Sequence, residues 1–218
     1  MMHVKPVDSI DQLAELKQRY MKQTTAPLDG MWLCGFVPAA THYGLYDEGV
    51  LGGFFCVNDD GCLLQFFVGS DHQSQSSLLF DAIVRRGDSP AGTIKGAFVS
   101  TAEPTLLSLC LDHLRVVGVT ALMYELDGTN GGTPKQPRAL GPTLKPLTAT
   151  QLPEAVAFAM AAIGAPEAWL TGYYARLVER GELFGVWEGA RLIATGESRG
   201  YDEFQPDCAD LGVVVAES

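Results

Sequence analysis

Apolar and polar positions fall into short runs along this chain, and the runs recur in the same order. Tyr43-Gly44-Leu45-Tyr46-Asp47-Glu48-Gly49-Val50-Leu51-Gly52-Gly53 reads as two strands around a tight turn, because apolar runs flank a short glycine-containing step. Phe184-Gly185-Val186-Trp187-Glu188-Gly189-Ala190-Arg191-Leu192-Ile193-Ala194 has the same pattern: aromatic, Gly, aliphatic, aromatic, acid, turn, then Leu and a small residue. Gly44 matches Gly185 and Leu51 matches Leu192, both 141 residues apart. The flanks match too. Ser9 to Leu16 predicts a capped helix with Ile10, Leu13 and Leu16 on one stripe, and Thr150 to Val156 predicts another, with a Thr cap and Pro153 in its first turn. Each hairpin is followed by a strand, Cys62 to Val68 and Ala209 to Val215, both apolar enough to be central.

The first copy continues beyond its third strand. A helix is expected over Ser76 to Arg86, with Leu78, Leu79, Ala82 and Ile83 on one face, then a strand over Ile94 to Val99. A helix over Pro104 to Arg115, with Pro in its first turn, and a strand over Val116 to Glu125 follow. The second copy stops just after its third strand. The stretch Asp127 to Pro137 is polar and rich in Gly and Pro, which makes it the linker. The organisation is therefore a first lobe over 1–127, a linker over 128–142 and half of a second lobe over 143–218.

Composition narrows the function classes. The 218 residues are too apolar, at 47%, for disorder and sufficient for a sizeable core. Lys and Arg number 15 against 26 Asp and Glu, a net charge of −11, which argues against a protein that coats nucleic acid with a cationic face. The N-terminus lacks an apolar core of signal-peptide length. The longest uncharged stretch, Gly30 to Tyr46, is too short and too broken to span a bilayer. Five cysteines without a CxxC read as free thiols in a reducing compartment, the cytoplasm. Four histidines without HxH or HExxH spacing give no expectation of a metal.

The repeated order of helix, hairpin and strand, with Phe184-Gly185-Val186-Trp187-Glu188-Gly189 and Asp210-Leu211-Gly212-Val213-Val214-Val215-Ala216 as its most specific parts, resembles the GNAT-type N-acetyltransferase fold. The resemblance implies an α/β fold with a mixed sheet (α+β) in two GNAT-like lobes, the second incomplete. It also implies an acyl-CoA co-substrate, acetyl-CoA by default, and a small-molecule amine as acceptor. In that family a loop R/Q-x-x-G-x-G/A begins five residues after a valine on the third strand. Its glycines let backbone N–H groups and a helix N-terminus meet the pyrophosphate. Here Val68 leads to Gln73-Ser74-Gln75-Ser76-Ser77-Leu78, with Ser76 and Leu78 at the two glycine positions. The implied acyl-CoA contacts are Phe66, Phe67, Val68, Gln73, Ser74, Gln75, Ser76 and Ser77, and Val213, Val214 and Val215 in the second copy. The residues alone fit equally well a helix capped by Ser74 and Ser76 with no ligand. Val215 would set the matching Arg or Gln at position 220, so the natural protein is expected to be longer.

The family's reaction needs a base for the amine proton and an acid for the leaving thiolate. The resemblance makes Glu197 and Asp210, at the ends of neighbouring strands, the candidate bases. The acids Asp202, Glu203 and Asp207 between them would attract an amine, or simply form a solvated loop. Tyr173 and Tyr174 are candidates to line the acceptor pocket; the alternative puts one ring in the core and one at the surface. In the first copy Leu111 falls where the family carries its Tyr acid, with Cys110 and His113 as substitutes. Trp32, Phe36 and Trp187 suit core packing. The rival reading is a non-catalytic lobe pair that binds acyl-CoA or a protein partner. An exposed strand edge over 209–216 suggests a homodimer.

Overall fold

The structure is a computed structural model describing residues 2–122, 144–199 and 210–216. The chain divides into two compact units, Met1–Thr120 and Ala121–Ser218.

In the first unit Ser9 caps the chain's entry into helix: its Oγ accepts from the Asp11 N–H at 3.2 Å. A 3-10 turn over Ile10–Leu13 leads into α1 (Ala14–Met21). Ile10 is exposed, so the buried stripe runs through Leu13, Leu16, Lys17 and Tyr20 instead. A π-helical turn (Trp32–Phe36) continues into the short α2 (Val37–Ala39). Five strands form one sheet in the order β1 (His3–Pro6), β2 (Thr41–Asp47), β3 (Val50–Val57), β4 (Cys62–Val68) and β5 (Gly96–Ala97), with β1 preceding the helices in the chain. All neighbours are antiparallel except β4 and β5, which run parallel. One face of this mixed sheet buries Tyr43, Leu45, Phe55, Phe66 and Val68 against α3 (Ser76–Val84) and α4 (Pro104–His113). The Phe66 and Phe80 rings meet edge to face at 5.3 Å. The alternate residue Phe67 lies beside Tyr20 of α1 on the other face.

Several expected elements change. The α3 stripe that is buried is Ser76, Phe80, Ile83 and Val84, and Leu78 is exposed, because the helix turns its aromatic residue to the sheet. The Ile94 to Val99 strand shrinks to Gly96–Ala97, since its ladder with β4 covers only Cys62 and Leu63. Residues 116–122 form no strand: Val116, Val117, Val119 and Leu122 are exposed and lack a ladder partner among the described residues. The remaining residues of that expected strand, and the linker, lie outside the described residues.

The second unit opens with β6 (Lys145–Pro146) and a capping box in which Thr148, rather than Thr150, is the cap and Gln151 answers it. Next come α5 (Leu152–Ile163) and α6 (Glu167–Arg180), then β7 (Leu183–Glu188), β8 (Arg191–Arg199) and β9 (Asp210–Val215) in one antiparallel sheet. The β7–β8 ladder slips between Val186 and Trp187, as the β2–β3 ladder slips between Leu45 and Tyr46, again 141 residues apart. In both hairpins the aromatic after the slip covers the glycine two residues before it: Tyr46 over Gly44, Trp187 over Gly185. β9 is the edge of its described sheet and not a central strand, with Leu211, Val213 and Val215 exposed. Tyr173 and Tyr174 are both in the core, so the alternative with one ring at the surface does not hold. Trp32 packs beside Val37, Cys56 and Leu64, whereas Phe36 is exposed.

Candidate functional site

β4 and β5 part soon after they pair. Cys62 lies opposite Gly96 and Leu63 opposite Ala97, and the Phe98 N–H donates to the Leu63 carbonyl at 2.9 Å. Beyond that point β4 keeps β3 on one side and, among the described residues, has no strand on the other. A shallow open cleft occupies the gap. Its walls are Phe66, Phe67 and Val68 of β4, Tyr20, Gln23 and Thr24 at the end of α1, and Glu103 with the first turn of α4. Gln73 and Ser76 also line it.

Glu103 is the acid of this cleft and is only 4% exposed. Pro104 opens α4, and Glu103 sits just before it at the helix entry. Its carboxylate turns back on the preceding loop: Oε2 accepts from the Ser100 N–H at 2.7 Å, and Oε1 accepts from the Tyr20 hydroxyl. Burial pushes the carboxyl up to about 7, with the Ser100 amide pulling the other way. A carboxylate that changes charge near neutrality is matched to taking and returning a proton.

The loop after β4 is a 3-10 turn, Ser70–Gln75, leading into α3. No side chain caps α3, so Ser74 and Ser76 are not caps; the helix continues directly from the 3-10 turn, and the Ser76 N–H donates to the Gln73 carbonyl. Ser76 is 8% exposed and faces the cleft, while Ser77 pairs with His113 at 3.0 Å. Arg19 holds the loop's start, donating to Ser70 at 3.1 Å with its guanidinium 5.9 Å from the Phe67 ring centre. The fold thus brings five of the expected contacts, Phe66, Phe67, Val68, Gln73 and Ser76, to one cleft. Ser74, Gln75 and Ser77 flank it without forming its walls. Apolar walls suit a pantetheine-like arm.

Other candidates lie elsewhere. Cys110 is buried in the α4 core, its thiol pushed up to about 11 by burial, and Leu111 is exposed. Glu197 is buried on β8 and accepts from the Tyr173 hydroxyl at 2.8 Å. Asp210 begins β9, opposite Arg199, and Val213, Val214 and Val215 follow it on that strand. Asp202, Glu203 and Asp207 lie outside the described residues. The residues the sequence reading missed are Glu103 and Tyr20. Glu103-Pro104 was visible as a helix start, but nothing in the pattern announced that a tyrosine 83 positions earlier would meet it.

Comparison with known proteins agrees with this geometry. Residues 9–127 match the family model of the acetyltransferase (GNAT) domain. A solved structure described as an acetyltransferase from the GNAT family from Colwellia psychrerythraea superposes with a TM-score of 0.82 and 43% identity, covering 98% of this chain and 78% of that one. No curated protein matches the chain.

Proposed function

Since this chain belongs to the GNAT acetyltransferase family, we propose that its first unit transfers an acyl group, acetyl by default, from acyl-CoA to the amine of a small molecule. The observation that carries the reading is the cleft where β4 and β5 part, with Glu103 in its wall. Acyl-CoA supplies an activated thioester carbonyl when bound. Phe66, Phe67 and Val68 offer an apolar wall, and the free edge of β4 offers a backbone N–H to the carbonyl oxygen, a contribution of about 3 kcal/mol. The Gln73 side-chain amide and the Ser76 hydroxyl, both on the cleft, receive the phosphates. Glu103 accepts the proton of the attacking amine. The amine attacks the thioester carbonyl directly, without an enzyme-bound intermediate: the C–N bond forms, the C–S bond breaks, and coenzyme A leaves as the thiol, taking up the proton that Glu103 accepted.

A second reading places proton transfer in the second unit, on Glu197 and Asp210, and the Tyr173–Glu197 hydrogen bond is what favours it. Thiol release from acetyl-CoA with a panel of small amines separates the two. Glu103→Gln is expected to lower turnover by about 10²–10⁴-fold, the usual worth of a general base, with Glu197→Gln close to the native rate. The opposite ranking moves the chemistry to the second unit. No acetyl-CoA bound at millimolar ligand would leave only the non-catalytic alternative, a unit that docks a protein partner.

A further inference from the structure

We propose that Tyr20 is a positioning residue that holds the Glu103 carboxylate in its proton-accepting state at the cleft wall. The proposal rests on the reading of Glu103 as the base. Its geometry is a double tie between α1 and the loop before α4. The Tyr20 hydroxyl donates to Glu103 Oε1, and beyond α1 the Thr25 N–H donates to the Ala102 carbonyl at 2.9 Å. With the Ser100 N–H on Oε2, both carboxylate oxygens receive a donor, so the group has one orientation. The Tyr20 ring is itself wedged, edge-on to Phe54 at 5.9 Å and to Phe67 at 6.2 Å, which fixes where its hydroxyl points.

The neighbourhood leaves this work to the phenol. Among the described residues no Lys or Arg lines the cleft. The titratable groups that face Glu103 are Tyr20 from α1 and Cys110 from α4, whose thiol stays neutral because burial first, and the Glu103 charge second, push it up to about 11. Burial favours the protonated carboxyl, and donated hydrogen bonds favour the anion. The Tyr20 O–H and the Ser100 N–H are the donors that oppose burial here.

The test uses the full chain. Tyr20→Phe keeps the ring and removes the hydroxyl. The acid limb of the kcat/KM profile and the NMR titration of the Glu103 side-chain carbon, assigned by its loss in Glu103→Gln, are expected to move up together by about one pH unit, with native turnover regained at high pH. A Glu103 titration left in place, with turnover lowered evenly at every pH, overturns the proposal and leaves Tyr20 a packing residue. Where Tyr20→Phe fails to fold, 3-fluorotyrosine in place of tyrosine strengthens the donor, and the Glu103 midpoint is expected to fall. A midpoint that stays or rises overturns the proposal. Full turnover in Glu103→Gln removes the underlying base instead, which is a different failure from an unmoved titration.

Discussion

Two buried residues of the first unit carry opposite pH dependences. Lys17 Nζ stands 3.2 Å from His42 Nε2 and 3.3 Å from Gln65 Oε1. His42 Nδ1 lies 2.9 Å from the Ala40 carbonyl and donates to it, so Nε2 is the acceptor for Lys17. Burial, then the Lys17 charge, pushes His42 down to about 4. A histidine whose pKa is depressed on folding contributes stability above its ordinary value near 6.5 and loses it as pH falls toward 4, up to about 3 kcal/mol. Glu103, raised to about 7, does the reverse: its contribution is full below the ordinary carboxyl value and is lost as pH rises through 7. Urea midpoints followed from pH 7 to 4 should therefore diverge. His42→Gln is expected to gain stability relative to the native chain on acidification, and Glu103→Gln to lose it. Parallel curves for all three proteins would remove both assignments. Neither environment was legible from the residues. His42 read only as an isolated histidine, because three strands and a helix must assemble before it meets Lys17.

The elements show which local patterns suffice. Cys62 to Val68 was read with the bounds it has in the structure, since an unbroken apolar run between turn residues permits little else. Both hairpins were legible for the same reason. Gly53 shows what packing adds to such a strand. A Cβ there would stand 2.5 Å from the Phe67 carbonyl oxygen and 3.2 Å from the Val68 Cα, backbone atoms that cannot step aside. Gly53→Ala should lower stability by about 2–3 kcal/mol and weaken the cleft wall, read as a fall in melting temperature together with weaker acetyl-CoA binding. A native melting curve would mean that β3 and β4 are less closely laid than they stand here. The Val116 to Glu125 run fails as a strand over its described part for the complementary reason. Apolar alternation announces a strand only where another strand offers its hydrogen bonds.

At the scale of the whole molecule, the two units pose a question of division of labour. The first unit has the parted strands and the cleft; the second has a sheet whose edge strand presents Leu211, Val213 and Val215 outward. Hydrogen exchange with saturating acetyl-CoA should slow β4, the loop after it and the start of α4, and leave β7, β8 and β9 unchanged. At one hundred times the dissociation constant the protected amides gain about 2.7 kcal/mol. Protection confined to β8 and β9 would assign acyl-CoA to the second unit. Among the described residues no helix is long and apolar enough to cross a membrane. The chain's local pattern alone determined both hairpins, the strand Cys62 to Val68 and the helix starts at Ser9 and Pro104, because strand alternation, caps and turns act over a few neighbouring residues. The family resemblance, counted from Val68, marked Gln73 and Ser76. Only the tertiary structure decided that Tyr20 meets Glu103 and that Glu103 is buried. Those contacts join positions far apart in the chain, and burial depends on what the rest of the protein lays over a side chain.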